Sequence, residues 1–250
     1  MEKKYDILAI DDEKIILDSI KMIAGSEGFT VDFAMTPDEI HKKIDDNSYR
    51  LILSDIMMPE ITGFEILEYI AKKELITPVI MTTGYSTTEY AVKSFSLGAL
   101  EFLPKPFNFD ELITGISRGI RCFEFNSKEK CKFDFPPTHK RLGKYCWLDN
   151  QSNDGAYKIG VSPMFLKIIG DISSIELLNN GEYITQAASC GKMIAVDGLE
   201  HYIPTAFSGR ILEINEEVAS NFHILYDSPY NNWLYRIIPT DYDYDYKNLT

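Results

Sequence analysis

The sequence lacks an apolar segment long enough to cross a membrane, since no uninterrupted apolar run approaches 18 residues. Its start turns acidic before the apolar core of a signal peptide could form. Cysteine is scarce as well, and the four cysteines are too far apart to form the CxxC pairs of common zinc sites. We therefore expect a cytoplasmic protein that has no membrane partner and whose thiols are reduced.

Positively charged residues are also few, because 25 lysines and arginines face 38 aspartates and glutamates, for a formal net charge of −13. Nucleic-acid affinity depends on clustered Lys and Arg, so this balance argues against a nucleic-acid partner. The sequence contains no Walker loop, no HExxH pair and no GxSxG elbow. These absences remove support for the common catalytic domains.

The first half of the chain does have a regular alternation of short apolar runs and amphipathic segments. The runs have the length of buried strands, and each is followed by apolar residues at helical spacing. Right-handed crossovers leave few arrangements for five such pairs, so we predict an α/β fold with a doubly wound, five-stranded parallel sheet. The predicted strands are 5–11, 30–35, 51–55, 78–83 and 100–105.

Polar residues stand where four of these strands end. Asp11 and Asp12 end the first strand, Asp55 the third, Thr83 the fourth and Lys105 the fifth. Parallel strands present their carboxyl ends at one edge, where ligands of open sheets bind, so we expect the five groups to lie together. Taken singly, Lys105 would merely pair with an acid and Thr83 would merely suit a strand. As a set they indicate a chemical site.

Crowded carboxylates of this kind repel one another unless a cation offsets their charge, and an all-oxygen set suits Mg²⁺. With the metal bound, Asp55 would attack a phosphoryl group as a carboxylate nucleophile. Lys105 would neutralise the phosphoryl oxygens, and Thr83 would donate a hydrogen bond to one of them. The residues thus predict a phosphoryl-transfer site with Asp55 as the acceptor.

Four motifs surround the polar residues at the strand ends: AIDDEK with its acidic pair, LILSDIMMPEITGFEIL around the acceptor, PVIMTTGYS, and GALEFLPKPF with its lysine between two prolines. On these motifs, residues 5 to about 121 resemble the receiver domain of two-component response regulators. The resemblance implies that Asp55 is the phospho-acceptor and that Asp12 and Asp55 bind Mg²⁺ or Mn²⁺ directly. It also implies that Asp11 binds the metal through water and that the Met57 backbone carbonyl is a further ligand.

The same resemblance assigns roles outside the metal set. Thr83 and Lys105 become the groups that sense the phosphoryl group, and Phe102 becomes the aromatic switch residue. A sensor histidine kinase or a phosphotransfer protein would supply the phosphoryl group, and the receiver would be able to form a homodimer. No enzymatic activity is implied beyond phosphoryl transfer to Asp55 and hydrolysis from it.

The second half has a different sequence pattern. Residues 123–141 lose helical periodicity and contain Pro136 and Pro137, so we predict a linker after a first domain at residues 1–122. From residue 142 to 240, short β-branched or aromatic runs separated by glycines predict a mainly-β sandwich or flattened barrel, with one helix at 163–169. The last ten residues alternate acid and tyrosine, and we expect a mobile acidic tail at 241–250.

The second half contains three further motifs, GAYKIGVSPMFLKIIGDISSIEL, FSGRILEIN and YDSPYNNWLYRIIPTD. On these motifs, residues 138–241 resemble the H protein of the glycine cleavage system, a lipoyl-carrier β fold. That family carries lipoate on a lysine at a hairpin tip, and Glu200 stands at the corresponding place in AVDGLEHYIP. A carboxylate cannot form the lipoyl amide, and Lys192 lies before the strand that leads to the tip. The resemblance therefore implies a lipoyl-like domain without lipoate.

Together these features predict a response regulator that is phosphorylated on Asp55 and signals through a second domain that binds a protein target rather than DNA. Two alternatives stay open. One is a phosphorylation-controlled carrier or accessory protein of one-carbon, glycine-cleavage metabolism, against which Glu200 argues. The other is a phosphate sink whose second domain is only structural.

Overall fold

The computed structural model describes residues 5–128, 135–151 and 154–250. These residues divide into two compact units. The first contains residues 5–86 and 97–128, and the second contains residues 87–96, 135–151 and 154–250. The division falls near the predicted domain boundary, except that residues 87–96 cluster with the second unit.

The first unit contains a five-stranded parallel sheet, which confirms the predicted fold class. Its strand order is β2-β1-β3-β4-β5, so the chain starts inside the sheet, adds one strand on one side and then proceeds to the other. Every residue of β1, β3 and β4 is buried, as expected for strands covered on both faces. The strands are β1 (Ile7–Ile10), β2 (Val31–Ala34), β3 (Leu51–Asp55), β4 (Val79–Thr83) and β5 (Glu101–Pro104).

Two of the helices between these strands start at residues whose side chains cap the first turn. The hydroxyl of Thr36 accepts a hydrogen bond from the Glu39 backbone N–H, and Pro37 follows as the first helical residue. Thr62 forms a capping box with Glu65. The helices are α1 (Lys14–Ser26), α2 (Pro37–Asp46), α3 (Gly63–Lys72), α4 (Thr88–Ser96) and α5 (Phe109–Lys128), of which α4 clusters with the second unit.

α1 and α5 share a hydrophobic core with the central strands of the sheet. Leu17 of α1 and Ile116 of α5 belong to one buried cluster with Leu51 of β3. A Cβ atom on Gly119 would lie only 2.6 Å from Leu51 Cδ1, so the missing side chain lets α5 approach β3 closely. This packing fixes the strand that ends in Asp55.

The second unit is mainly antiparallel β structure, as predicted. It contains a six-stranded sheet of order β10-β13-β14-β8-β7-β6 and a three-stranded sheet of order β12-β11-β9. The strands are β6 (His139–Leu142), β7 (Cys146–Asp149), β8 (Tyr157–Val161), β9 (Ile172–Leu177), β10 (Tyr183–Ile184), β11 (Ser189–Ala195), β12 (Glu200–Pro204), β13 (Gly209–Ile214) and β14 (Tyr235–Pro239). The helices are α6 (Pro163–Ile169), α7 (Glu216–Ser220), α8 (Ile224–Asp227) and α9 (Tyr242–Tyr246).

The predicted linker at 123–141 is too long at both ends. α5 continues to Lys128, because its last turns pack on the first unit: Cys122 is buried, and the Asn126 side-chain amide donates a hydrogen bond to the Ile76 carbonyl at 3.3 Å. At the other end β6 begins at His139 and pairs with β7. Residues 129–134 of the predicted linker lie outside the described residues.

The expectation of a mobile tail at 241–250 is wrong. The alternation of acid and tyrosine places Tyr242 and Tyr246 four residues apart on α9, where their rings stack at 5.1 Å. Tyr242 also packs against Tyr157 and Phe207. The carboxylate of Asp245, which is buried, accepts a hydrogen bond from the Ser208 backbone N–H at 2.6 Å. Contacts with residues distant in the chain therefore hold the segment.

The structure also bears on two predictions from sequence composition. Cys122, Cys146 and Cys190 are buried free thiols, and Cys131 lies outside the described residues. Within the described parts of the chain, no helix is both long and apolar enough to span a membrane.

Candidate functional site

The candidate site lies at the carboxyl edge of the parallel sheet in the first unit. Asp11 follows β1, Asp55 ends β3, Thr83 ends β4 and Lys105 follows β5. Asp55 pairs in register with Thr82, and Thr83 pairs with Pro104. Asp11, Asp55 and Thr83 are all buried, at 1%, 4% and 0% exposure. The structure therefore brings together these four predicted residues, and their polar groups are almost fully removed from water.

Lys105 connects the two buried carboxylates. Its Nζ lies 2.6 Å from Asp11 Oδ2 and 2.6 Å from Asp55 Oδ1. Burial by itself lowers the pKa of Lys105, but the hydrogen bonds to Asp11 and Asp55 outweigh burial and raise the pKa above its usual value. Burial raises the pKa of Asp11, and Lys105 offsets this only in part. Two carboxylates therefore share one ammonium, and the cluster carries an excess of negative charge.

Backbone N–H groups hold the other carboxylate oxygens. Asp55 Oδ2 accepts a hydrogen bond from the Met57 N–H at 2.7 Å, and Asp11 Oδ1 accepts one from the Glu13 N–H at 3.0 Å. Each donor lies two residues after its aspartate, as in an Asx turn. Both side chains are therefore oriented by their own loops, in addition to Lys105.

Gly63 packs against the backbone of the acceptor Asp55, and the sequence alone did not indicate this role. A Cβ atom on Gly63 would lie 2.2 Å from the Asp55 carbonyl oxygen, and the Gly63 N–H donates to the Ile56 carbonyl at 3.0 Å. The start of α3 thus lies directly against the backbone of the acceptor. Its signal in the sequence was a glycine that directly follows the helix cap Thr62.

Thr83 and Phe102 lie on the neighbouring strands β4 and β5. Thr83 Oγ1 accepts a hydrogen bond from the Tyr85 N–H at 3.1 Å, which leaves the hydroxyl proton available for another acceptor. Phe102 is half-buried and pairs in register with Met81, two residues before Thr83 on β4. Tyr85, next to these residues, is 71% exposed.

The predicted metal ligands are only partly assembled. Asp12 is exposed, whereas Asp11 and Asp55 point at Lys105. Among the described residues, no three His, Cys, Asp or Glu side chains are arranged to bind a metal ion. The donor set nevertheless fits a hard dication in its chemistry, because it consists of carboxylate and backbone oxygens and carries more negative charge than Lys105 neutralises.

The second unit shows where the predicted lipoyl position lies. β11 and β12 form a hairpin whose turn is closed by hydrogen bonds from the Ala195 N–H to the Leu199 carbonyl and from the Gly198 N–H to the Ala195 carbonyl, both at 2.9 Å. Gly198 has a φ of 87°, which favours glycine. Glu200 lies just after this turn, opposite Ile194 in the ladder.

Lys192 lies within β11, the strand that leads to the turn, so its predicted place before that strand is wrong. Its ammonium belongs to an ion-pair network. Its Nζ lies 2.9 Å from Glu200 Oε1 and 3.4 Å from Glu176 Oε2. The hydrogen bond to Glu200, followed by that to Glu176, raises the pKa of Lys192. The hairpin therefore presents neither a lysine at its turn nor an unpaired amine beside it.

Comparison with known proteins gives a match for each half of the chain. Residues 7–117 match the family model of the response regulator receiver domain, and residues 139–250 match that of the glycine cleavage H-protein. The second match extends to the segment that was expected to be a tail and begins at the observed start of β6.

The curated relatives include transcriptional regulatory proteins. The transcriptional regulatory protein CpxR homolog of Haemophilus influenzae is 31% identical over 178 residues, which cover 69% of this chain and 78% of that protein. The transcriptional regulatory protein DltR of Streptococcus agalactiae is 36% identical over 110 residues, or 44% of this chain. The chain spans about half the length of DltR, at 49%.

Solved structures also match each half. A response regulator receiver domain protein from Methanospirillum hungatei is 35% identical, with a TM-score of 0.47, and the match covers 50% of this chain and 99% of that one. A glycine cleavage system H protein from Mycobacterium marinum is 23% identical, with a TM-score of 0.39, and covers 42% of this chain and 87% of that one. On the family models and the CpxR homolog, the chain belongs to the response regulators, with a receiver domain at residues 7–117 followed by a glycine cleavage H-protein domain at residues 139–250.

Proposed function

We propose that this response regulator accepts a phosphoryl group on Asp55 in the presence of Mg²⁺ and that its H-protein domain acts as a binding module without lipoate. The observation that carries the first part is the single ammonium of Lys105 shared by the buried carboxylates of Asp11 and Asp55. Such a site has a carboxylate nucleophile, a fixed positive charge and an excess of negative charge that requires a further cation.

The proposed reaction forms a bond between a carboxylate oxygen of Asp55 and phosphorus. The bond between phosphorus and the donor breaks, and its electron pair leaves with the histidine nitrogen of a kinase or phosphotransfer protein, or with the acetate of acetyl phosphate. Lys105 offsets the charge of the phosphoryl oxygens, and the Thr83 hydroxyl donates a hydrogen bond to one of them. Mg²⁺ or Mn²⁺, held by Asp12, Asp55, the Met57 carbonyl and, through water, Asp11, would supply additional positive charge.

The signal would pass through the strands next to the acceptor. Thr83 turns toward the phosphoryl group in the modified state, and Phe102 on the adjacent strand β5 fills the space that Thr83 leaves. The register of β4 and β5, which places Phe102 opposite Met81 and Thr83 opposite Pro104, supports this coupling. A sensor histidine kinase or phosphotransfer protein would be the upstream partner, and a homodimer would form through the receiver.

The output would be protein binding rather than DNA binding or carrier chemistry. From residue 142 onward the chain has seven lysines and arginines against fourteen acids, which is unfavourable for contacts with phosphates. The hairpin of β11 and β12 has no lysine at its turn, and Lys192 is paired with Glu200 and Glu176. These features support a carrier fold that now recognises another protein.

The test of the proposed function is phosphorylation of the full chain by acetyl phosphate, followed by intact-mass measurement. The reaction is run with MgCl₂, with MnCl₂ and with EDTA, on the wild type, Asp55→Asn and Asp38→Asn. Asp38 is an exposed carboxylate in the first turn of α2 and serves as the matched control.

We expect the wild type and Asp38→Asn to gain the mass of one phosphoryl group when either metal is present. Asp55→Asn should gain none, because an amide is not a nucleophile for this step, and EDTA should abolish the gain. Equal gains in the wild type and Asp55→Asn would contradict the assignment of the acceptor. Undiminished gain in EDTA would contradict the role of the metal.

A further inference from the structure

An exposed apolar patch with an arginine at its centre lies on the outer face of the six-stranded sheet. We define it by four residues on three neighbouring strands: Tyr183 of β10, Arg210 and Leu212 of β13, and Ile238 of β14. Tyr183 pairs in register with Arg210, and Arg210 pairs with Ile238, so the three side chains form one row across the sheet. Two strand spacings make this row about 10 Å wide.

The apolar members of this Arg210 patch are not needed by the core. Their side chains are exposed by 73% at Tyr183, 46% at Leu212 and 47% at Ile238. The residues that alternate with them, Ile184, Ile211 and Ile237, are buried and fill the inner face of the same strands. Single exposed apolar side chains are common, but adjacent ones on three strands form a contiguous patch of the kind that marks a binding surface.

Arg210 differs from the other arginine on this face in having no acidic partner. Its Nε donates to the Gly181 carbonyl at 3.3 Å, and no carboxylate of the described residues lies within ion-pair distance. Arg236, in contrast, is held by Glu213 at 2.7 Å and Asp154 at 2.5 Å. In a chain with 38 acids and 25 basic residues, a guanidinium left without a carboxylate is therefore available for an external one.

The hairpin of β11 and β12 is the other candidate surface of this domain, and its charges are less available. It exposes Val196 by 71% and Tyr202 by 52%. Its nearby cation, Lys192, already bonds Glu200 and Glu176. A partner with a carboxylate would have to displace an internal ion pair at the hairpin, whereas at Arg210 it would displace only water.

We propose that the Arg210 patch binds a segment of a partner protein in which a carboxylate stands beside aromatic or aliphatic side chains. Arg210 would hold the carboxylate with its two free N–H-bearing nitrogens, and Tyr183, Leu212 and Ile238 would cover the apolar side chains. One unpaired cation is too few for a nucleic acid or an anionic lipid surface, which need several phosphate contacts. The proposal rests on the proposed role of this domain as a binding module but not on phosphoryl transfer.

The test is selection of short random peptides displayed on phage against the immobilised full chain. Selection is carried out on the wild type and on Asp55→Asn. Because Asp55→Asn lacks the proposed acceptor, binding to this variant tests the patch independently of phosphoryl transfer. Affinities of the selected peptides are then measured for Arg210→Glu, Arg210→Lys and Tyr183→Ala. Lys167→Glu is the matched control, because Lys167 is an exposed lysine on α6 of the same unit. Circular dichroism and melting temperature establish that each variant is folded.

We expect both selections to enrich peptides with Asp or Glu within a few positions of an aromatic or leucine residue. Arg210→Glu should weaken their binding by about tenfold or more, and Arg210→Lys by less, because lysine keeps the charge but loses the bidentate geometry. Tyr183→Ala should weaken binding as well, and Lys167→Glu should leave it unchanged. No enrichment of such peptides, or equal affinity for the wild type and Arg210→Glu, would overturn the proposal. Equal losses in Arg210→Glu and Lys167→Glu would show unspecific attraction of acidic peptides and would also overturn it.

Discussion

Lys105 is the residue on which the candidate site depends most. Its ammonium forms hydrogen bonds at 2.6 Å to both Asp11 and Asp55, and its own side chain is only 11% exposed. Removing one member of a buried ion pair costs about 3–5 kcal/mol, because the remaining charge is left without compensation. Here two carboxylates would remain. Lys105 therefore has a structural role in addition to the proposed contact with the phosphoryl group.

The residues of this site were predictable because a simple rule of parallel sheets places strand ends together. Asp11, Asp55, Thr83 and Lys105 each follow or end an apolar run, and the structure collects them at one edge. The role of Gly63 was not predictable, because its contact with the Asp55 carbonyl depends on how α3 packs against β3. The exposure of Asp12 was not predictable either, because the position of a residue at a strand end does not determine how far its side chain is buried.

At the residue scale, low pH should weaken the contribution of Asp32 to the stability of the fold. Partial burial by itself raises the pKa of Asp32, but hydrogen bonds from Lys43 Nζ at 2.6 Å, Tyr49 Oη at 2.8 Å and the Phe33 N–H outweigh it. The net pKa is lowered below its ordinary value of 3.8. The stabilisation is therefore complete above the pKa of the unfolded chain and is lost as the pH falls through the folded pKa.

We accordingly expect Asp32→Asn to lower the free energy of unfolding at pH 7 by about 2 kcal/mol. The difference from the wild type should shrink as the pH is lowered from 6 toward about 3. Urea unfolding followed by circular dichroism at a series of pH values measures both quantities. A difference that stays constant or grows in acid would show that the pKa of Asp32 is not lowered by folding.

At the scale of elements, the start of α3 and the end of β3 are in direct backbone contact. Gly63→Ala should place a methyl group 2.2 Å from the Asp55 carbonyl oxygen and 2.7 Å from Met81 Cε. We expect this clash to destabilise the protein by about 2 kcal/mol or more and to slow phosphorylation at least about tenfold, because the acceptor is displaced. Chemical denaturation and the rate of phosphoryl gain from acetyl phosphate are the measurements.

Gly25→Ala is the matched control for this prediction. Gly25 lies near the end of α1, and a Cβ added there would meet no heavy atom within 4 Å. Alanine should stabilise the helix by about 0.5–1 kcal/mol and leave the rate of phosphorylation unchanged. Comparable losses in both variants would mean that glycine is required for reasons other than the contact with Asp55.

The β11–β12 hairpin yields a second prediction at this scale. Glu200 lies in the ladder opposite Ile194, after the turn closed by Gly198. A lysine at position 200 would therefore stand beside Lys192 on the flank of the hairpin rather than at its turn. We expect neither the wild type nor Glu200→Lys to carry lipoate when produced in cells competent in lipoylation.

Intact-mass measurement of both proteins checks this expectation, with a lipoylated H protein from the same cells as the positive control. A lipoyl group on any lysine of residues 142–250 in the wild type would contradict the binding-module account and favour the carrier alternative. A lipoyl group on Glu200→Lys alone would show that the flank of the hairpin is recognised and that Glu200 is what prevents modification.

The elements that sequence reasoning misjudged owe their structure to distant contacts. Residues 241–250 have no continuous apolar face, yet Tyr242 packs against Tyr157 and Phe207, which are remote in sequence. The extension of α5 to Lys128 similarly includes a hydrogen bond from Asn126 to Ile76. Periodicity within a short window carries no information about such partners, whereas it was sufficient for the helix at Pro163–Ile169.

At the scale of the whole molecule, the change in sequence pattern near residue 140 indicated two domains of different fold class. The alternating α/β pattern and the glycine-punctuated β pattern were each visible in the sequence, and the family models match residues 7–117 and 139–250. The net charge of −13 describes the molecule as a whole and does not show where single positive charges lie without an acidic partner. Arg210 is such a charge, and its significance depends on neighbours brought together only by the sheet.

The central claim is that Asp55 is the single acceptor of the phosphoryl group, and reductive trapping tests it most directly. The full chain is phosphorylated with acetyl phosphate and Mg²⁺ and then treated with borohydride, which reduces an aspartyl phosphate to homoserine and leaves free carboxylates unchanged. Peptide mass spectrometry then locates the homoserine. We predict homoserine at position 55 and unchanged aspartates at positions 11 and 12. Homoserine at another aspartate, or none in a protein that has gained phosphate, would contradict it.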